Sequence, residues 1–199
     1  MPVSFIAGLG NPGSSYRGSR HNIGFVVVDA LAETLGGTWK EERQFKALVS
    51  KVTMAGQIVW LVKPQTFMNQ SGKTLAALAR FYKVIPEAFT VIYDDINLAF
   101  GRLKLTVQGG AGGHNGVASV LQELGAGFTR FRIGIGDKPH PDMDLADYVL
   151  DHFTPAEQVA LAPRIPEFVH GLTLLVDKGA EDAMNLLNTK ETTTITEDS

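Results

Sequence analysis

Apolar and polar positions divide the chain into short segments whose spacing changes from one to the next. Val3–Leu9 is almost continuously apolar and reads as a buried strand. Ile23, Val26, Val27, Ala30, Leu31 and Leu35 recur at helical spacing, which predicts a helix over Asn22–Leu35 ended by Gly36 and Gly37. Ala47–Met54 and Gln57–Val62 flank Ala55 and Gly56 and predict a hairpin. Thr74–Tyr82 continues a helix that begins near Asn69 or Ser71. Phe89–Tyr93 is a strand rich in aromatic and β-branched residues, ending in Asp94 and Asp95. Arg102–Val107 alternates as a strand, Gly109–Gly113 is a glycine loop, Asn115–Leu124 is a helix and Arg130–Ile135 is another strand. Pro163 and Pro166 split Pro155–Val176 into two helical pieces, and Ala180–Leu187 forms a last short helix. Strands alternating with helices predict an α/β fold, a single-domain sandwich with a mixed, largely parallel twisted sheet flanked by helices. Residues 1–188 are expected to form that domain. Residues 189–199 are polar and threonine-rich and are expected to be a disordered tail.

Composition narrows the class. The 199 residues are 44% hydrophobic and 20% charged, ordinary for a globular protein able to bury a sizeable core. No apolar run approaches the roughly 20 residues of a membrane span. The N-terminus lacks a basic stretch leading into an apolar one, so neither a signal peptide nor a membrane partner is expected. With no cysteine, disulfides, thiolate metal sites and a cysteine nucleophile are excluded, and a cytoplasmic location is expected. The formal net charge is −3, so a nucleic-acid partner would need a local basic patch.

Gly8, Gly10 and Gly13, in IAGLGNPG, match the G-x-G-x-x-G spacing of a dinucleotide-binding turn. Such a turn should lead at once into a helix, and the second strand should end in an acidic residue. Here Pro12 interrupts the turn, the polar segment SSYRGSRH follows, and the acids of WKEERQ precede their strand. A glycine-rich turn leaving a buried strand accounts for the spacing better than NAD does. SGKT at 71–74 lacks the first glycine of a P-loop, where Phe67 stands. There is no G-x-S-x-G elbow, no H-E-x-x-H pair, and no close metal-ligand spacing among the five histidines.

Polar groups instead gather where apolar strands end. Asn11, His21, Asn69, Asp94 and Asn115 all fall at predicted element boundaries, near Gly-rich or Pro-rich turns. Beyond the carboxyl ends of strands in an α/β sheet they are expected to converge on one crevice. Each also has a plainer reading taken singly: Asn69 and Asn115 as helix N-caps, Asp94 as a turn cap, His21 as a surface residue, Phe67 and Met68 as core.

Taken in order, GLGNPG with Tyr16, then RHN, TFMNQSG, the acidic pair after VIY, GGHNG and FRIGIG resemble bacterial-type peptidyl-tRNA hydrolase, from about residue 3 to about residue 190. The resemblance implies cleavage of the ester between a peptide and the 3′ ribose of tRNA. It implies His21 as general base and Asp94 as the carboxylate that orients its imidazole. A histidine with an ordinary pKa of about 6.5 suits that task. Asn11, Asn69, His114 and Asn115 would bind the peptide backbone and 3′ end or position water, with carboxamide donors for the oxyanion. Phe67 and Met68 would line the groove, and Tyr16 would stand near the terminal nucleotide. Arg102, Lys104, Arg130 and Arg132 flank the glycine loop, and of these Lys104 and Arg132 match positions that contact tRNA. The resemblance implies a monomer that needs neither metal nor organic cofactor. Two positions depart from the family pattern: Ala111 replaces a histidine in the glycine loop, and Thr106 replaces a basic residue two places after Lys104. The alternatives are a non-catalytic RNA-binding protein on the same fold, a small-molecule esterase or amidase, and a dinucleotide oxidoreductase.

Overall fold

The computed structural model describes residues 5–189. Seven strands form one sheet: β1 (Phe5–Gly8), β2 (Lys40–Glu42), β3 (Ala47–Met54), β4 (Gln57–Pro64), β5 (Phe89–Asp95), β6 (Leu103–Thr106) and β7 (Thr129–Gly134), in the order β2-β3-β4-β1-β5-β7-β6. The four strands from β4 to β7 run parallel, whereas β2 and β3 at one edge and β6 at the other are antiparallel to their neighbours. The sheet is therefore mixed, as expected, with its parallel part in the buried centre. Residues 190–199 of the expected tail, and Val3 and Ser4 of the first predicted strand, lie outside the described residues.

The helices are α1 (Ile23–Thr34), α2 (Ser71–Tyr82), α3 (Asn115–Glu123), α4 (Leu145–Leu150), α5 (Pro155–Leu161), α6 (Arg164–Lys178) and α7 (Ala180–Asn188). On one face of the sheet Ile6, Ile92, Leu105 and Phe131 pack against Val27 and Leu31 of α1 and Phe168 and Leu172 of α6. On the other, Ala7, Leu9, Val91 and Tyr93 pack against Leu75 and Leu78 of α2 and Val117 and Val120 of α3. Among the described residues, this second core takes nothing from β6 or β7. Strand alternation puts Leu103, Leu105, Phe131 and Ile133 toward the first face, so Lys104, Thr106, Arg130 and Arg132 stand on the second.

The first glycines of the opening motif serve packing. A Cβ on Gly8 would stand 2.2 Å from the carbonyl oxygen of Gly24, and one on Gly24 would stand 2.5 Å from Ile92 O and Leu9 N. Helix α1 therefore crosses β1 and β5 at a distance that only two facing glycines allow.

Three details differ from expectation. Pro166 does not break α6: as the third residue of the helix it lies in the first turn, where no N–H has an intrahelical acceptor to lose. Strand β2 reads Lys-Glu-Glu and carries no apolar alternation to find. Helix α4 has six residues, too few to establish a period.

Candidate active site

The loop leaving β1 and the turn entering α1 are stitched together by two asparagines. The Asn11 backbone N–H donates to Asn22 Oδ1 at 2.8 Å, and Asn22 Nδ2 donates to the Asn11 carbonyl at 2.9 Å. Asn11 Oδ1 accepts the Met68 backbone N–H at 2.7 Å. With that oxygen engaged, the carboxamide of Asn11 presents as its free end the NH2, which meets no partner among the described residues.

His21 stands in the short 3-10 turn Arg20–Asn22 and is buried. Its Nδ1 lies 2.8 Å from Asp94 Oδ1 and 3.0 Å from Oδ2, so the ring proton is on Nδ1 and Nε2 is left as a base. His114 Nε2 reaches the same Oδ1 at 3.0 Å. His114 Nδ1 accepts the backbone N–H groups of Gly116 at 3.1 Å and Val117 at 3.2 Å. Backbone N–H groups only donate, so the proton of the neutral His114 ring is on Nε2 and points at Asp94. One carboxylate thus fixes two imidazoles in opposite tautomers, their ring centroids 4.6 Å apart.

Asp94 is 4% exposed. Burial pushes its carboxyl up, but the charge and hydrogen bonds of His114 and His21 outweigh that and hold it well below the usual carboxylate range. The ligand atoms of His21, Asp94 and His114 lie within 4.8 Å of one another, the spacing of a small metal site. Both ring nitrogens facing the carboxylate are donors to it, however, so their lone pairs are not turned toward a shared ion.

The neighbouring carboxylate does different work. Asp95 Oδ1 accepts the Asn97 N–H at 2.9 Å, and Oδ2 accepts Arg132 Nε at 2.7 Å. Asp95 therefore caps the turn after β5 and holds Arg132 in place, while Asp94 serves the histidines.

These groups line one cavity of about 600 Å³. Asn11, His21, Phe67, Met68, Asn69, Asp94, His114, Asn115 and Arg132, all singled out from the sequence, are in its wall. Tyr16 and Lys104 are outside it. Tyr16 meets Phe67 edge-on at 6.4 Å, so it extends the apolar rim. Lys104 is the cross-strand partner of Arg132. Phe67 and Met68 divide: Met68 is buried, whereas Phe67 is 58% exposed.

The plainer readings of the asparagines fail on geometry. The N-cap of α3 is His114, leaving Asn115 as an exposed first residue. Helix α2 follows a 3-10 turn over Met68–Gln70, and Asn69 lies in that turn without capping the helix. Arg130 is displaced from the expected basic surface. It is buried against Phe128, and its guanidinium donates to the carbonyls of Gly109 and Gly110 (2.8 Å to Gly110), so it anchors the glycine loop.

Sequence reasoning missed Asn22, Tyr93 and the wall supplied by α4. Asn22 was visible in RHN. Tyr93 ends an apolar strand and shows its role only in contact with His114, 5.1 Å away edge-on. Burial pushes its hydroxyl pKa up, against Arg130 and Arg132, which lower it. Helix α4 contributes Leu145, Ala146, Val149 and Leu150.

Comparison with known proteins settles the family. The family model described as peptidyl-tRNA hydrolase matches residues 5–195. The chain belongs to the peptidyl-tRNA hydrolase family. It is 45% identical to a peptidyl-tRNA hydrolase of Desulfitobacterium hafniense over 187 residues, 94% of this chain and all of that one. It is 44% identical over 181 residues to the protein of that name from Mycobacterium tuberculosis, covering 90% of this chain and 94% of the relative. The crystal structure of peptidyl-tRNA hydrolase from Acinetobacter baumannii superposes with a TM-score of 0.88 at 35% identity, covering 94% of this chain and 95% of that one. Full-length similarity to enzymes of one name supports an enzyme here and disfavours the RNA-binding, small-molecule esterase and oxidoreductase alternatives.

Proposed function

We propose that the chain hydrolyses the ester joining a peptidyl or N-blocked aminoacyl group to the 3′ ribose of tRNA, so that tRNA from stalled translation is recycled, and that His21 is the base. One observation carries the residue assignment: His21 Nδ1 is held by Asp94 at 2.8 Å, which leaves Nε2 basic in the cavity that Asn11 also lines.

In this reading a water on Nε2 loses its proton as its oxygen attacks the ester carbonyl. The imidazolium that forms is stabilised by Asp94, which stays ionised. The carbonyl oxygen becomes an oxyanion, and the Asn11 NH2 is the donor best fixed to receive it, because its own oxygen is tied to Met68. The proton on Nε2 then passes to the departing ribose oxygen as the tetrahedral intermediate collapses. His114 keeps Asp94 facing His21. Asn69 and Asn115 would hold the peptide backbone and the 3′ end. Phe67, Met68 and Tyr16 would form an apolar rim that accepts many side chains. Lys104 and Arg132 would meet phosphates of the acceptor end, consistent with their pairing across β6 and β7 on one face of the sheet. The reading carries with it a monomeric cytoplasmic enzyme working without a cofactor.

The test is release of tRNA from N-acetyl-aminoacyl-tRNA and from free aminoacyl-tRNA, with wild type and His21→Ala in parallel. Cleavage of the blocked substrate alone, lost in the variant, is the expected result. A folded wild type that binds tRNA but cleaves nothing would return the chain to the RNA-binding reading.

A further inference from the structure

Arg20 precedes His21 and is 4% exposed. A buried guanidinium is costly unless its donors are met. Here Nη2 donates to Glu157 Oε2 at 2.8 Å, Nη1 donates to the Tyr148 carbonyl at 3.3 Å, and the guanidinium carbon lies 4.5 Å from the Tyr148 ring centroid, while Nε meets no partner among the described residues. The Arg20 backbone N–H donates to the Asp151 carbonyl at 3.0 Å, and the Phe153 N–H donates to the Gly18 carbonyl at 3.2 Å. Glu157 Oε2 also accepts the Thr154 N–H at 2.7 Å, within the capping box that starts α5. Tyr148 belongs to α4, whose Leu145, Ala146, Val149 and Leu150 form one wall of the cavity. The Tyr148 hydroxyl donates to the Ile135 carbonyl at 2.8 Å, just past the end of β7.

We infer that Arg20 is a positioning residue that registers the His21 turn against the α4 wall of the cavity, so that what presses on that wall also sets where the base stands. The inference rests on the reading of His21 as the base. A side chain that only filled space here needs no charge. A planar fork that meets a carbonyl, a carboxylate and an aromatic face together is specific to guanidinium. The clasp joins the segment one residue before the base to a helix more than a hundred residues away in sequence, and it does so without touching Asp94. The His21–Asp94 bond fixes the tautomer of the ring. The Arg20 clasp fixes the backbone from which the ring projects. A misplacement of about 1 Å costs on the order of 100-fold in rate, so slack of a fraction of that is readable in kcat.

The experiment measures kcat and KM on N-acetyl-aminoacyl-tRNA for wild type, Arg20→Met, Arg20→Lys, Glu157→Gln and His21→Ala, together with tRNA affinity and thermal melting. Arg20→Met is expected to lower kcat about tenfold with KM and tRNA affinity nearly unchanged. Arg20→Lys is expected to recover part of the loss, because it keeps the charge against Glu157 but not the fork on Tyr148. Unchanged kcat in cooperatively melting Arg20→Met protein, or a rise in KM alone, would overturn the inference. If Arg20→Met does not fold, Glu157→Gln decides: a fall in kcat of a few-fold at unchanged KM supports the clasp, and an unchanged kcat overturns it. Retained activity in His21→Ala would instead remove the reading of the base, whatever the Arg20 variants do.

Discussion

The carboxamide oxygen of Asn11 accepts the backbone N–H of Met68 at 2.7 Å. That bond decides which end of a symmetric-looking side chain faces the cavity. Asn11→Asp tests it with almost no change of shape. One carboxylate oxygen can still accept from Met68, but the other replaces the NH2, so an oxyanion would meet negative charge instead of a donor. The expected result is a fall in kcat of roughly 100- to 1000-fold, the range for losing one oxyanion donor, with tRNA affinity retained. Near-normal kcat would move the oxyanion role to Asn69 or Asn115.

Asp94→Asn is expected to be more severe. The amide oxygen can take the place of Oδ1, which both imidazoles reach, but its NH2 then stands where Oδ2 faced His21 Nδ1 and favours the opposite tautomer of that ring. For His21 that puts the proton on Nε2 and removes the base, a change of about 10,000-fold in a comparable His–carboxylate arrangement. Circular dichroism and tRNA binding should stay near wild type, which separates this outcome from unfolding.

The same carboxylate predicts a pH effect on stability. Its pKa is lowered in the folded state from an ordinary value of 3.8. A depressed folded pKa contributes stability that is present above the unfolded value and is lost as pH falls through the folded one. In urea titrations the advantage of wild type over Asp94→Asn should therefore be present from neutral pH down to about pH 4 and shrink below it. An advantage that does not shrink below about pH 4 would contradict the assignment of Asp94 as the ionised partner.

Much of this site was legible because the chemistry stands at element boundaries, where polar residues interrupt strong apolar patterns. Asn11, His21, Asn69, Asp94 and Asn115 were found that way, and nine of the eleven residues given a catalytic, substrate or tRNA role from the sequence line the cavity. What stayed hidden depends on contacts between distant segments. Nothing local says that Asp94 is shared by two histidines, or that Arg130 turns inward to carbonyls at Gly109 and Gly110 while Arg132 pairs with Asp95. Of the glycines that imitate a nucleotide fingerprint, Gly8 is explained by Gly24, sixteen residues on, which lies opposite it, and Gly10 by the Phe25 ring against it.

Gly24→Ala should expose that packing constraint. The added methyl would meet backbone atoms of Ile92 and Leu9 at 2.5 to 2.6 Å, and backbone cannot give way as a side chain can. Overpacking typically costs about 1–3 kcal/mol and more where the neighbours are rigid. Because Ile92 precedes the acidic end of β5 and Leu9 precedes Asn11, activity should fall along with the urea midpoint. A fully stable and active variant would mean that α1 can slide without disturbing the site.

Lys104 and Arg132 face each other across β6 and β7, yet their replacement should read differently. Each phosphate contact contributes about one counterion to the salt dependence of tRNA binding, so Lys104→Ala should reduce the slope of log affinity against log salt by about 1 and leave kcat intact. Arg132→Ala should reduce the slope as well, but it also strips the partner from Asp95, which is 8% exposed and would be left as an uncompensated buried charge. The variant should therefore lose stability and loosen the turn after Asp94, so kcat falls too. Double substitution Arg132→Ala with Asp95→Asn removes the stranded charge and should recover stability without recovering the slope. Recovery of both, or no change of slope in Lys104→Ala at low salt, would take this strand pair off the RNA-binding surface.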